Sequence, residues 1–290
     1  MKVTPALLDT AVSPDGKEWI PNSLDDFFHE LNHIVDFCKT QGSLALFRGH
    51  RSRDWLLDST FARSLKKTLF GIPAETRLSK QIAESAEFHS VILNLFLLKF
   101  GVLARPSKEL EVIARQHSLD AWFELMKRIQ QHPGEDASFF LKGTNLLDWT
   151  TSPDVALYFA NEERNSEGAI FICDTTATGK TLQILALGAI LDKMRELGGA
   201  SIPLGAPLLF SPPKQLQSCR AKNQQAMYFA QMDLRYDMGF IWARREAELS
   251  GETILIKLII PAGTEDATRE YLAAKAITSA FIYPDSENDV

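Results

Sequence analysis

The apolar positions of this chain fall into two regimes. Through the first half they recur mostly at helical spacing, and through the second half they gather into short unbroken runs that read as buried strands. Ser23 is placed to cap a helix over residues 24–31, whose early acids Asp25 and Asp26 suit the positive end of the helix dipole. One strand is set into this helical half, over residues 44–50, an apolar run that ends on Arg48 with Gly49 directly after it. An irregular stretch with Trp55 and Phe61 follows. Then come a long helical region from about Glu75 to Phe100, two shorter helices between Ser107 and Gln131, and a breaker at Pro133 and Gly134.

In the second half, residues 168–173, 227–230, 254–260 and 280–283 are strand candidates. Residues 183–197 read as helix, and residues 203–213 as a proline-punctuated loop around a short apolar segment. Thr264 opens a short helix between the last two strands. There is no internal repeat and no linker between two cores. The pattern predicts a single α+β domain over residues 22–290 with a helical N-terminal layer, preceded by an extension over residues 1–21.

A chain of 290 residues can bury a full core. Its net charge of −6 argues against a surface that binds nucleic acid all over, though not against a local basic cleft. The three cysteines, Cys38, Cys173 and Cys219, are widely spaced and lack a metal-ligand pattern, so they read as reduced cytosolic thiols. No basic segment followed by an apolar block opens the chain. The most apolar stretch, residues 91–104, is interrupted by Asn94 and Lys99 and is too short to span a bilayer. A soluble cytoplasmic protein with no membrane partner is expected.

Arginine grips phosphates and carboxylates with a permanently charged, two-pronged fork, and the glycine beside Arg48 lets another group approach the backbone closely. Arg48 is therefore either a ligand-gripping group or a structural arginine paired with a buried acid. The Thr178-to-Thr181 run looks like the end of a phosphate-binding loop, but Asp174 stands where that motif needs a glycine, and a carboxylate defeats an anion nest. His29 and His33 share a helix face without completing a metal signature. No metal site is expected.

Two further segments stand out. Residues 146–160 run from an apolar strand through Thr150 and Thr151 to Ser152, which can cap a helix whose first residue is Pro153. This is a well-made strand-to-helix corner, and also a place where hydroxyls and free N–H groups can meet an anion. Residues 220–229 form a polar, basic loop that leads into an aromatic strand, with Gln224 and Gln225 as amide donors and acceptors.

Together these segments resemble the FRG domain family, named for the run present here as Phe47, Arg48 and Gly49. The resemblance passes through Trp55, Leu57, Phe61 and Arg63, then Leu146 to Pro153 and the helix of Ala156 to Ala160. It resumes at Arg220, Gln224 and Gln225 and ends near Phe281 to Asp285. The family in turn resembles a divergent branch of the ADP-ribosyltransferase fold, in which a split β-sheet clamps NAD. The resemblance implies that Phe47, Arg48, Gly49, His50, Trp149, Thr150, Thr151, Ser152 and Tyr158 line an NAD site. It implies catalytic roles for Arg48, Thr151, Ser152, Gln224 and Gln225.

The chain departs from the family pattern in places. His50 stands where glutamine is usual, Asn145 where arginine is usual, and the usual Gln-His pair is replaced around Ser138 and Phe139, unless Gln131 and His132 supply it from a shifted loop. The implied activity is NAD-dependent mono-ADP-ribosyl transfer by an intracellular toxin or phage-defence effector held in check by an antitoxin or other regulatory protein. The implied acceptor is a macromolecule, with RNA or DNA ahead of protein because Arg51, Arg53, Lys66, Lys67, Arg220 and Lys222 flank the motifs. The alternatives are a non-catalytic module that senses NAD or a related nucleotide, an NAD glycohydrolase, and an interaction domain with no ligand.

Overall fold

The computed structural model describes residues 12–13, 16–104, 126–127, 129–130, 139–175, 208–210, 219–231, 233–248 and 253–284. The predicted helices over 183–197 and most of 107–131, and the Thr178-to-Thr181 run, lie outside these. The described elements are β1 (Val12–Ser13), β2 (Gly16–Trp19), α1 (Leu24–Thr40), β3 (Ala45–His50), α2 (Thr60–Phe70), α3 (Lys80–Ala83) and α4 (Ala86–Ala104). They continue with β4 (Leu146–Thr150), α5 (Pro153–Asn161), β5 (Gly168–Asp174), β6 (Leu208–Phe210), α6 (Cys219–Asn223) and β7 (Ala226–Ala230). The last are α7 (Met238–Glu248), β8 (Leu255–Ile260), α8 (Glu265–Ala274) and α9 (Ser279–Ile282).

The fold is α+β. Its eight-stranded sheet has the order β1-β2-β8-β5-β3-β4-β7-β6. Neighbours run antiparallel except β2 and β8, which are parallel. Residues 12–13 and 16–19, within the stretch 1–21 read from the sequence as an extension, add two strands to the sheet. Gly16-Lys-Glu-Trp19 carries too little apolar alternation to announce a strand; its partner β8 supplies the order.

Alternate residues of the central strands face two cores. On one face Phe47, Ile170, Ile172 and Leu258 pack under α1 and α5, with Phe27, Leu31 and Ile34 from α1 fully covered. On the other, Leu46, Leu147, Trp149, Phe171 and Phe229 pack against Leu57 and against Met238 and Trp242 of α7. Ser23 caps α1 by accepting from the Asp26 N–H at 3.1 Å, as the sequence predicts.

Two expectations change. Phe61 lies not in an irregular stretch but in α2, capped by Ser59, with its apolar face on Leu141 and Ile92. Residues 280–283 are not a strand. Thr278 caps a short helix, α9, through the Phe281 N–H at 3.4 Å. A four-residue apolar run has no periodicity long enough to separate the two conformations.

Candidate functional site

The sheet splits between β3 and β4. Adjacent strands elsewhere in the centre pair over five or six residues, but β3 and β4 pair only at Phe47 and Thr150. Beyond that point the strands part, and a cleft of about 570 Å³ opens between β3, β4, α5, α6 and β7. That volume lies within the range of small-molecule sites.

Arg48 stands at the fork. Its Nε donates to His50 Nε2 at 3.0 Å, and its Nη1 donates to the Asp148 carbonyl oxygen across the split. Burial lowers its pKa to about 10, which Asp148 opposes and the neighbouring Arg63 reinforces. The guanidinium therefore remains charged at neutral pH, with no carboxylate hydrogen-bonded to it among the described residues. Arg164 is the opposite case. Its fork is filled by Asn161, Ser166, Pro261 and Thr264, with Glu265 3.3 Å away. Arg164 is a structural arginine; Arg48 is built differently.

Gly49 does permit a close approach, but by α5 rather than by a ligand. A Cβ there would lie 2.7 Å from the Ala160 nitrogen and 2.9 Å from the Ala156 carbonyl carbon, and closer still to the Ala156 oxygen. The absent side chain seats the helix on the strand.

The Thr150–Ser152 corner and the Gln224–Gln225 turn meet in space and bond to each other. Thr150 Oγ1 donates to the Gln224 carbonyl at 2.7 Å, Thr151 Oγ1 donates to Gln225 Oε1 at 2.7 Å, and the Thr151 N–H donates to the Gln225 carbonyl at 3.2 Å. Gln225 adopts a left-handed conformation, φ 46°, to make this turn. Ser152 caps α5, accepting from the Val155 N–H at 3.3 Å. These hydroxyls are committed to the corner. Replacing Ser152 with alanine is expected to remove a helix cap worth about 1 kcal/mol and lower the melting temperature by roughly 2 °C, with ligand affinity unchanged. Paired thermal melts and titrations check both halves.

Of the residues expected to bind NAD, Phe47, Arg48, Gly49, Trp149 and Thr150 line the cleft, and so does Gln224 of those expected to be catalytic. His50 sits behind Arg48, buried. Thr151, Ser152 and Gln225 form the corner at the cleft's edge. Tyr158 lines instead a groove of about 410 Å³ between α5 and α8. Gln224 Nε2 donates to the Ile282 carbonyl at 3.1 Å, and Asn223 donates to that of Phe281 at 2.7 Å, so this turn clasps α9.

Sequence reasoning missed much of the wall. Asp148, Lys127, Gln130, Phe159, Glu162 and Tyr228 all line the cleft. Asp148 had a signal, as the one charged residue in an apolar strand. Lys127 lies over the Tyr228 ring at 4.0 Å, with Asp148 Oδ1 3.6 Å away, and burial lowers its pKa against the pull of Asp148. Burial also raises the Tyr228 phenol, which stays protonated. Arg51 lies over Trp55 at 4.9 Å and Arg220 over Tyr283 at 5.0 Å. The lining thus sets the cations Arg48, Arg51, Lys127 and Arg220 against the carboxylates Asp148 and Glu162, in a chain of net charge −6. A cationic cleft in an acidic protein selects an anion.

Outside the cleft, several of the described cations are matched by carboxylates. Arg53 pairs with Glu18 at 2.8 Å and Glu167 at 2.9 Å, and buried Lys66 with Asp58 at 2.6 Å; within the lining, Arg51 pairs with Glu163 at 2.6 Å. His29 and His33 are exposed on α1. Among the described residues no group of three His, Cys, Asp or Glu is placed to hold a metal ion, and no helix is long and apolar enough to cross a membrane.

Residues 43–169 match the family model of the FRG domain. The matched span carries Arg48, Gly49 and the Thr150–Ser152 corner, and Gln224 and Gln225 lie beyond it. Comparison with curated proteins found no match, and comparison with solved structures found none.

Proposed function

We propose that this FRG-domain protein is an NAD-dependent mono-ADP-ribosyltransferase acting on a macromolecule, with an ADP-ribosyltransferase-like split-sheet core. The observation that carries the reading is Arg48, a desolvated guanidinium fixed where the sheet parts, with no carboxylate partner among the described residues. The cleft fits NAD. Arg48, Lys127 and Arg220 suit a diphosphate, the rings of Trp55 and Phe159 suit flat heterocycles, and the volume of about 570 Å³ suits a ligand of that size.

NAD supplies a glycosidic bond to a cationic leaving group. The bond from ribose C1′ to nicotinamide breaks with its electron pair leaving on the nicotinamide nitrogen, while an acceptor oxygen or nitrogen bonds to C1′. Holding the donor bent and the acceptor aligned accounts for most of the rate. The acceptor's proton must go to a base, which neither Gln224 nor Gln225 can be. Glu162 fits that role. It lines the cleft at the end of α5, and its carboxylate makes no hydrogen bond or ion pair among the described residues.

A specific observation favours a second reading. Thr150 and Ser152 are bound to backbone, and Gln224 is tied to Ile282, so a cleft with these groups committed can sense NAD without turnover. Incubation with labelled NAD and separate RNA, DNA and protein pools separates the cases. Label on one pool supports the transferase and names the acceptor. Free ADP-ribose identifies a glycohydrolase, and binding with neither identifies a sensor. Replacing Glu162 with glutamine is expected to cut transfer roughly 100-fold while NAD affinity stays within about threefold. Undiminished transfer would remove Glu162 from the mechanism. Of the cations that flank the motifs, Arg51, Arg53 and Lys66 are paired with carboxylates, which weakens the electrostatic case for a nucleic-acid acceptor. Toxin or phage-defence action under a regulatory protein remains part of this proposal, tested by co-expression with neighbouring genes.

A further inference from the structure

We propose that His50 is a positioning residue that holds the Arg48 fork as a neutral imidazole with its proton on Nδ1, so that protonating it releases Arg48 and sets an acid limit on ligand binding. The inference rests on the proposed role of Arg48 as the cleft's anion-gripping group.

The tautomer follows from donor logic. A guanidinium Nε–H can only donate. Arg48 Nε faces His50 Nε2 at 3.0 Å, so Nε2 must present its lone pair. The ring proton is then on Nδ1, which faces the Trp55 carbonyl oxygen at 3.3 Å and donates to it. Edge contacts with Phe171, at 5.1 Å between centroids, and Trp55, at 6.1 Å, hold the ring against rotation. Both nitrogens are satisfied only in this one state.

Its consequence is geometric. Arg48 is pinned at Nε by His50 and at Nη1 by the Asp148 carbonyl, leaving Nη2 for a ligand. A side chain fixed before binding loses less entropy on gripping its ligand than one that must be ordered by it. Protonated His50 would set a donor against a donor and push Arg48 out of place. The surroundings resist that proton. Burial lowers the imidazole well below its usual range, and Arg48 on β3, Arg63 on α2 and Lys257 on β8 all act in the same direction, opposed only by the Trp55 carbonyl. The bond to Arg48 is therefore intact through neutral pH and lost only in acid. Glutamine can imitate the acceptor with its side-chain carbonyl, and leucine cannot.

The test combines nitrogen NMR of the imidazole in the free protein with NAD titrations of the native chain, His50→Gln and His50→Leu, each checked by thermal melting. Expected are an Nδ1-protonated ring, affinity within about threefold for His50→Gln, and a loss of about tenfold or more for His50→Leu at pH 7.5. Expected too is a native affinity that tracks His50→Gln through neutral pH and falls below it in the acid range where the NMR series shows the imidazole taking up its proton. An Nε2-protonated ring, full affinity in a folded His50→Leu, or a constant ratio across pH would overturn the proposal. The ring tautomer is read without ligand, and inorganic pyrophosphate serves as a second probe. A native chain that ignores NAD but binds pyrophosphate in a His50-dependent way sinks the NAD reading and supports this one.

Discussion

Replacing Arg48 with alanine is expected to weaken NAD binding roughly 100-fold while leaving the melting temperature no lower than that of the native chain. The two halves of this result have one cause. Arg48 is half-buried, and burial holds its pKa down near 10, so at neutral pH the folded state bears a desolvation cost for that charge. Structural arginines offset such a cost with a full set of acceptors, as Arg164 does with Asn161, Ser166, Pro261 and Thr264. Arg48 has only a histidine nitrogen and one carbonyl. Its Nη2 meets no acceptor among the described residues and is open to a ligand, so alanine is expected to remove binding without removing stability, the usual signature of a functional group. Lysine at this position keeps the charge but loses the planar fork and the Nε donor to His50, and its affinity should lie close to that of alanine. Calorimetric titration with NAD beside thermal melts reads both quantities. Equal affinity in Arg48→Ala ends the cleft assignment. A melting temperature lowered by more than about 5 °C makes Arg48 structural after all.

The sequence shows which segments matter better than it shows what each residue in them does. The strand with Arg48, the corner at Thr150–Ser152 and the turn at Gln224–Gln225 were all legible, because each breaks a local pattern. The structure joins the last two through hydrogen bonds between Thr150 and Gln224 and between Thr151 and Gln225. That joining also inverts their reading. Hydroxyls that look available in one dimension are the acceptors and donors of a corner closed in three. Lys127, Tyr228 and Glu162 were invisible for a related reason. Each sits in an ordinary local pattern and becomes part of a wall only when β4, β7 and α5 converge. The fold class was readable from periodicity. The split was not, since pairing confined to Phe47 and Thr150 is a property of two strands about 100 residues apart.

Gly49→Ala is expected to destabilise the fold by about 3 kcal/mol, a drop of roughly 5 °C in melting temperature, and to abolish ligand binding with it. The added Cβ would meet the Ala160 nitrogen at 2.7 Å and the Ala156 carbonyl carbon at 2.9 Å, where unstrained packing needs about 3.5 Å or more. All the obstructing atoms are backbone, so no side chain can swing aside. β3 cannot yield either, since residues 45–50 are paired with β5 along their whole length. α5 must therefore lift, and its inner face of Val155, Ala156, Leu157 and Ala160 is buried. Because the same helix carries Phe159 and Glu162 into the cleft, lifting it displaces one wall of the site. Gly42 provides the control. It has φ +66° and open space around its Cβ position, so alanine there should cost only about 1 kcal/mol, from backbone conformation alone. The two variants thus separate a glycine needed for its torsion from one needed for its emptiness. If Gly49→Ala melted within about 2 °C of the native chain, the helix would have room that this packing denies it, and the glycine beside Arg48 would be open to a ligand instead.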